Sequence, residues 1–166
     1  MRNRISVVLV LAVLAACSPG LAAEATQADK IIIVKSKRTM TLMKGGKVIK
    51  TYRVSLGTAP VGPKQIQGDH KTPEGNYTIS GKNPGSRFRL ALRVSYPGPE
   101  DRARARKLGA SPGGDIMIHG LGREFASLGL LQWQTDWTDG CIAVTNEEID
   151  EIFPMVPVGT RVEIRP

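Results

Sequence analysis

The chain has little of what several function classes require. It contains two cysteines and two histidines in 166 residues, with neither a CxxC nor an HExxH pair. The usual ligand spacings of structural zinc sites and of helix-borne metalloproteases are therefore missing. No internal repeat is present, nor any low-complexity tract beyond a short polar stretch near the N-terminus, which excludes solenoids and arrays. No nucleic-acid-binding motif accompanies the formal charge of +8. The apolar run from Ile5 to Ala16 is too short to span a bilayer. A single folded domain is expected, because the residues from Lys30 to Pro166 suit one compact unit with a modest core.

What is present begins with a leader. Arg2 and Arg4 precede the apolar run, and "SPG" follows it, which is the pattern of an export signal rather than of a buried helix. The sequence Leu14, Ala15, Ala16, Cys17 resembles the lipobox of bacterial lipoproteins. That resemblance implies acylation of Cys17 as the new N-terminus and attachment to a membrane, and Ser18 after it leans toward the outer membrane. Ordinary cleavage near residues 23–25 is the alternative, since the small residues there suit a soluble-protein signal peptidase. The expected organisation is a signal over 1–16, a small polar tether over 17–29 and a folded domain over 30–166 in an exported, periplasmic protein. Without Arg2 and Arg4 the charge is +6, which favours anionic partners such as cell-wall peptides or lipid headgroups over nucleic acid in that compartment. Acylation or removal of Cys17 leaves Cys141 without an internal disulfide partner. Such a cysteine is either an inert buried thiol or a reactive nucleophile.

Short strands dominate the rest. "IIIV" precedes a hairpin of Thr39 to Met43 and Val48 to Leu56, with Gly45 and Gly46 at its turn. Ala59 to Glu74 is dense in Pro and Gly and reads as a long loop, followed by a strand at Asn76 to Ser80. In "RFRLALRV", Phe88, Leu90, Leu92 and Val94 alternate with Arg87, Arg89, Ala91 and Arg93, predicting one strand with a buried and a guanidinium-bearing face. A polar helix starts after Pro99 and stops near Gly109. A second has the Thr145/Glu148 capping-box spacing, with Ile149, Ile152 and Phe153 on its apolar side until Pro154. "DIMIHG", "CIAV" and "TRVEI" are further short strands. The sum is a mainly β fold with a few short helices.

The chemistry centres on His119 and Cys141. A nucleophilic cysteine needs a base or cation near its sulfur, and the oxyanion formed at a carbonyl needs backbone N–H donors. His119 ends a strand before Gly120, and Gly140 makes a sharp turn that exposes the thiol and aims the N–H of Cys141, with that of Gly140, at one point. A zinc site of His70, His119 and Cys141 stays open on ligand count alone. His70 otherwise reads as a cleft-edge or surface residue, and Trp133 and Trp137 as core or as walls of the site.

"IMIHG" followed by "DWTDGCIAV" resembles the signature of the L,D-transpeptidase catalytic domain, a cysteine family acting on bacterial peptidoglycan. The upstream "GDHKTPEGNYTI" and the opening hairpin extend the similarity over nearly all of Lys30 to Ile164. The resemblance implies an L,D-transpeptidase-like β-sandwich of mixed sheets and no metal or cofactor. It implies Cys141 as nucleophile, His119 as its activating base, the Gly120 carbonyl as the group orienting the imidazole, Gly140 in the oxyanion turn, and Trp137, Thr138 and Asp139 against substrate. Activation by His119 predicts a thiol that alkylates readily at neutral pH. Many members carry His before the Gly-Cys pair and Arg or Asn two residues after the cysteine, where this chain has Asp139 and Ala143. A carboxylate so close raises the thiol pKa unless it points away or is held by a donor. The substrates implied are peptidoglycan stem peptides, with the thioester resolved by an amine in a transpeptidase or by water in a hydrolase that releases a wall-linked lipoprotein. A non-catalytic wall-binding lipoprotein is the competing class, against which the presence of both His119 and Cys141 counts.

Overall fold

The computed structural model describes residues 26–166, so the leader, its cleavage sites and Cys17 lie outside the described residues. Eight strands follow one another in the order β3-β2-β1-β8-β4-β5-β6-β7. They are β1 Lys30–Val34, β2 Thr39–Lys44, β3 Lys47–Arg53, β4 Gly75–Asn83, β5 Ala91–Val94, β6 Met117–His119, β7 Ile142–Ala143 and β8 Arg161–Arg165. Helices α1 (Pro99–Lys107) and α2 (Asn146–Met155) and a 3₁₀ run at Ala126–Gln134 decorate them. The architecture is the mainly β, mixed-sheet one expected. None of the described helices is long and apolar enough to cross a membrane.

Alternation builds the core. On β1 the buried residues are Ile31 and Ile33, on β2 Met40 and Leu42, on β8 Val162 and Ile164, each separated by a residue that faces outward. The β1–β8 pair is parallel and β1–β2 antiparallel, so a central strand is covered on both edges. Strand β4 joins two sheets. Its first half pairs with β8, a bulge falls between Ile79 and Gly81, and its second half pairs with β5. The bulge bends the strand and turns the β5-β6-β7 sheet onto the first. Ile118, Ile142, Val144 and the helix residues Ile149 and Ile152 then share one cluster with Ile31 and Leu42. Each buried isoleucine stabilises the fold by about 1.5–3 kcal/mol relative to exposure.

The sheet also meets itself. Beyond β3, Ser55 N–H donates to the Ala143 carbonyl at 2.9 Å, and Ala143 N–H returns the bond to Ser55 at 2.9 Å. That bridge sets the segment after β3 against β7, the opposite end of the strand order.

"RFRLALRV" departs from its expected strand. Only Ala91–Val94 is extended and paired, while Arg89 has φ of 77°, which breaks the alternation. Ala91, expected on the guanidinium face, is buried, and Phe88 is only half-buried. Before the break, Arg87 and Phe88 line a cleft shared with His119 and Cys141 instead of continuing the sheet. The 3₁₀ run Ala126–Gln134, interrupted at Gly129, has no counterpart in the periodicity.

Candidate active site

Strands β6 and β7 lie parallel, with Ile118 opposite Ile142 and His119 opposite Ala143. Cys141 immediately precedes β7 and therefore falls beside Met117, and His119, two residues along from Met117, shares its face. Both side chains line one cleft of about 700 Å³ with Phe88, Phe125, Trp137 and Asp139.

The turn presenting the thiol is tied down from both sides. Asp136 accepts from Arg38 Nη2 at 2.7 Å and from the Leu56 N–H at 2.9 Å. Thr138 Oγ1 donates to the Cys141 carbonyl at 2.8 Å and accepts from the Gly140 N–H at 3.1 Å. Gly140 has φ of +119°, and a Cβ there would stand 2.5 Å from the Lys71 carbonyl oxygen. Only glycine fits.

His119 is 2% exposed. Its Nδ1 lies 2.6 Å from the Gly120 carbonyl, which can only accept, so Nδ1 carries the proton and Nε2 keeps its lone pair. Phe88 stacks on the ring at 4.4 Å and 27°, and Trp137 meets its edge at 6.0 Å. Burial holds the imidazole below its ordinary 6.5, against the opposing pull of the Gly120 bond and with further help from the Arg87 charge. A Cβ on Gly120 would fall 2.8 Å from both Asn146 Oδ1 and Ile149, so the chain bends closely over α2 there.

Cys141 differs from expectation. Burial pushes its thiol up; the Met117 N–H opposes, the Asp139 and Asp115 carboxylates push further up, and Lys64 opposes again. The Sγ sits 3.5 Å from the Asp115 carbonyl oxygen, as a weak S–H donor. The resting site thus holds a neutral thiol beside a neutral imidazole, not the readily alkylated thiolate anticipated. A low-dielectric cleft with two carboxylates disfavours that charge separation. Such a pair suits general-base transfer of the proton as the sulfur attacks.

Trp137, Thr138 and Asp139 all line the cleft. The Thr138 hydroxyl and Gly140 N–H are bonded to each other, so Gly140 is not a free oxyanion donor and the Cys141 N–H remains as the anticipated one. Asp139 points outward, 90% exposed, with its Oδ1 2.7 Å from Nδ1 of His70. The structure thereby brings His70 to Asp139 and not into a ligand trio with His119 and Cys141. Among the described residues no group of three His, Cys, Asp or Glu is placed to hold a metal ion. Trp133 lies away from the cleft under the Arg53 guanidinium. Arg89 and Arg93 pair with Asp150 and Asp115, whereas Arg87 lines the cleft and covers Phe88. Sequence reasoning missed Phe88, Phe125 and Asp115 as cleft residues, and Gln132, whose Oε1 accepts from the Trp137 indole at 3.3 Å. No local signal marks them, since each acts across elements.

A mainly β scaffold offers a thiol and a capped imidazole to one cleft, and sequence comparison gives the family. The family model described as the L,D-transpeptidase catalytic domain matches residues 28–164, and the chain belongs to that family. It is 35% identical over 132 residues to the Escherichia coli protein named "Putative L,D-transpeptidase YafK", covering 76% of this chain and 46% of that one. The chain thus spans about half the length of that relative. Among solved structures, a mutant of the helical cell shape determining protein Pgp2 from Campylobacter jejuni superposes with a TM-score of 0.63 at 25% identity, over 84% of this chain and 47% of the other. The L,D-transpeptidase from Mycobacterium smegmatis shares the fold, with a TM-score of 0.53 at 17% identity, over 84% of this chain and 59% of the other.

Proposed function

We propose that the protein is a peptidoglycan L,D-transpeptidase whose nucleophile is Cys141. The observation that carries the reading is the common face of Cys141 and His119 in one cleft, with Nδ1 capped by Gly120. The sulfur attacks the carbonyl at the L-centre of meso-diaminopimelate in a stem peptide while His119 Nε2 takes the thiol proton. The oxyanion forms beside the Cys141 N–H. Its collapse breaks the peptide bond, and the imidazolium returns the proton to the departing amine. An acceptor amine then attacks the thioester and gives a proton to His119, and collapse expels the Cys141 thiolate, which takes that proton back from the imidazolium.

Incubation of purified protein with defined muropeptides, followed by mass spectrometry, tests this. New diaminopimelate crosslinks that vanish with Cys141→Ser are the expected result. Lost links with free carboxylates identify a hydrolase of the same acyl-enzyme, and full activity in Cys141→Ser overturns the mechanism. The proposal includes export and a lipid anchor at Cys17. Cys17→Ser should then release an active protein from membranes, and unchanged membrane attachment and lipid labelling would refute the anchor.

A further inference from the structure

The lip of the cleft holds one carboxylate that the fold leaves without a fixed cation. Asp139 stands two residues before the nucleophile, lines the cleft and is 90% exposed. One oxygen is held by Nδ1 of His70 at 2.7 Å, a side chain itself 53% exposed. The other accepts no hydrogen bond from any described residue. Two other charged groups near Cys141 are already engaged in ion pairs. Asp115 is paired with Arg93 at 3.0 Å, and Lys64 is buried against Asp69 at 2.7 Å and the Ile66 carbonyl. Arg87, the guanidinium in the same cleft, makes no ion pair with Asp139. Asp139 is thus the cleft-lining carboxylate that no Lys or Arg of the described residues engages.

His70 gives the omission a direction. It adopts φ of 53° in the long loop and so presents its ring to Asp139 from outside the turn. One N–H is enough to fix the carboxylate, whatever the charge of the ring, and leaves the second oxygen for a ligand.

We propose that Asp139, aimed by His70, is the specificity-determining anchor for a cationic amine of the substrate. This rests on the acyl-transfer reading and deepens it. The substrate class is an acyl donor whose diamino acid carries a free ammonium on the side chain beyond the carbonyl under attack. Pairing forms no covalent bond and moves no proton. In the free protein the Asp139 charge opposes ionisation of the thiol, and an ammonium on that carboxylate offsets the opposition. Amine binding and proton loss from Cys141 therefore reinforce each other, reciprocally.

The test uses two donor stem peptides, alike except that one has its side-chain amine acetylated. Binding is measured by calorimetry on Cys141→Ser protein, and kcat/KM on protein that keeps the thiol. Both should favour the free amine by about two- to fivefold, the range an exposed ion pair allows, and the preference should shrink in high salt. Asp139→Asn should abolish the preference and speed alkylation of Cys141 near neutral pH. His70→Gln, which keeps an N–H donor, should retain the preference, and His70→Ala should weaken it. Equal binding of the two peptides, or an undiminished preference in Asp139→Asn, would overturn the proposal. Amine-dependent binding without turnover would instead overturn the acyl-transfer reading and leave this anchor standing.

Discussion

At the scale of single residues, burial moves His119 below 6.5 and Cys141 above 9.0, so both are uncharged over the neutral range. A thiol with a pKa above 9.0 is less than about 1% thiolate at pH 7. Iodoacetamide should therefore modify the free protein more slowly than an exposed cysteine at neutral pH, with the rate rising about tenfold per pH unit and still climbing above pH 9. The depressed imidazole stays a competent base as pH falls through 6.5, so the acid limb of kcat/KM should lie below that value. His119→Ala should lower kcat by about 10²–10⁴-fold while leaving slow alkylation nearly unchanged. An acid limb above pH 6.5 would show that another group supplies the base.

Among the elements, α2 connects helix capping to the site. Thr145 Oγ1 accepts from the Glu148 N–H at 3.2 Å, and Glu148 Oε2 accepts from the Thr145 N–H at 2.8 Å. One residue on, Asn146 Oδ1 accepts from Leu121 N–H at 2.9 Å and Gly122 N–H at 3.1 Å, gripping the chain just after His119. Thr145→Ala should cost about 1 kcal/mol, read as a lower urea midpoint with unchanged slope. An unchanged midpoint would show that α2 is held by packing alone. This box was legible because T-x-x-E is a local pattern, as were the Gly45–Gly46 hairpin and the glycine-flanked His119 and Cys141. β5 was misjudged for the converse reason. Alternation around Phe88 looks like a strand, but its ring is claimed by His119, on a strand about thirty residues away. The charge state of Cys141 was equally hidden, because Asp115 and the depth of the cleft are tertiary facts.

For the whole molecule, the long loop is integral to the site rather than an accessory. Buried Lys35 donates to the Gly62 carbonyl at 2.6 Å, the Thr72 carbonyl at 2.9 Å and Glu74 at 2.9 Å, and burial lowers its pKa while Glu74 opposes. Thr72 Oγ1 in turn holds the Gly57 N–H at 3.0 Å, and the Lys71 carbonyl backs Gly140. Lys35→Met strands Glu74 and two carbonyls, and should destabilise by about 3 kcal/mol in chemical denaturation. A loss below about 0.5 kcal/mol would show that the loop supports itself. The bridge between Ser55 and Ala143 has a consequence in time as well as in space. It joins the two ends of the strand order, so the strand that follows Cys141 gains its outer neighbour only when Ser55 and Ala143, distant in the chain, have come together. Contacts of such sequence separation close late. A copy in which that bridge has not closed leaves the strand behind Cys141 unsupported on one edge, so the order of the cleft is tied to the order of the whole molecule.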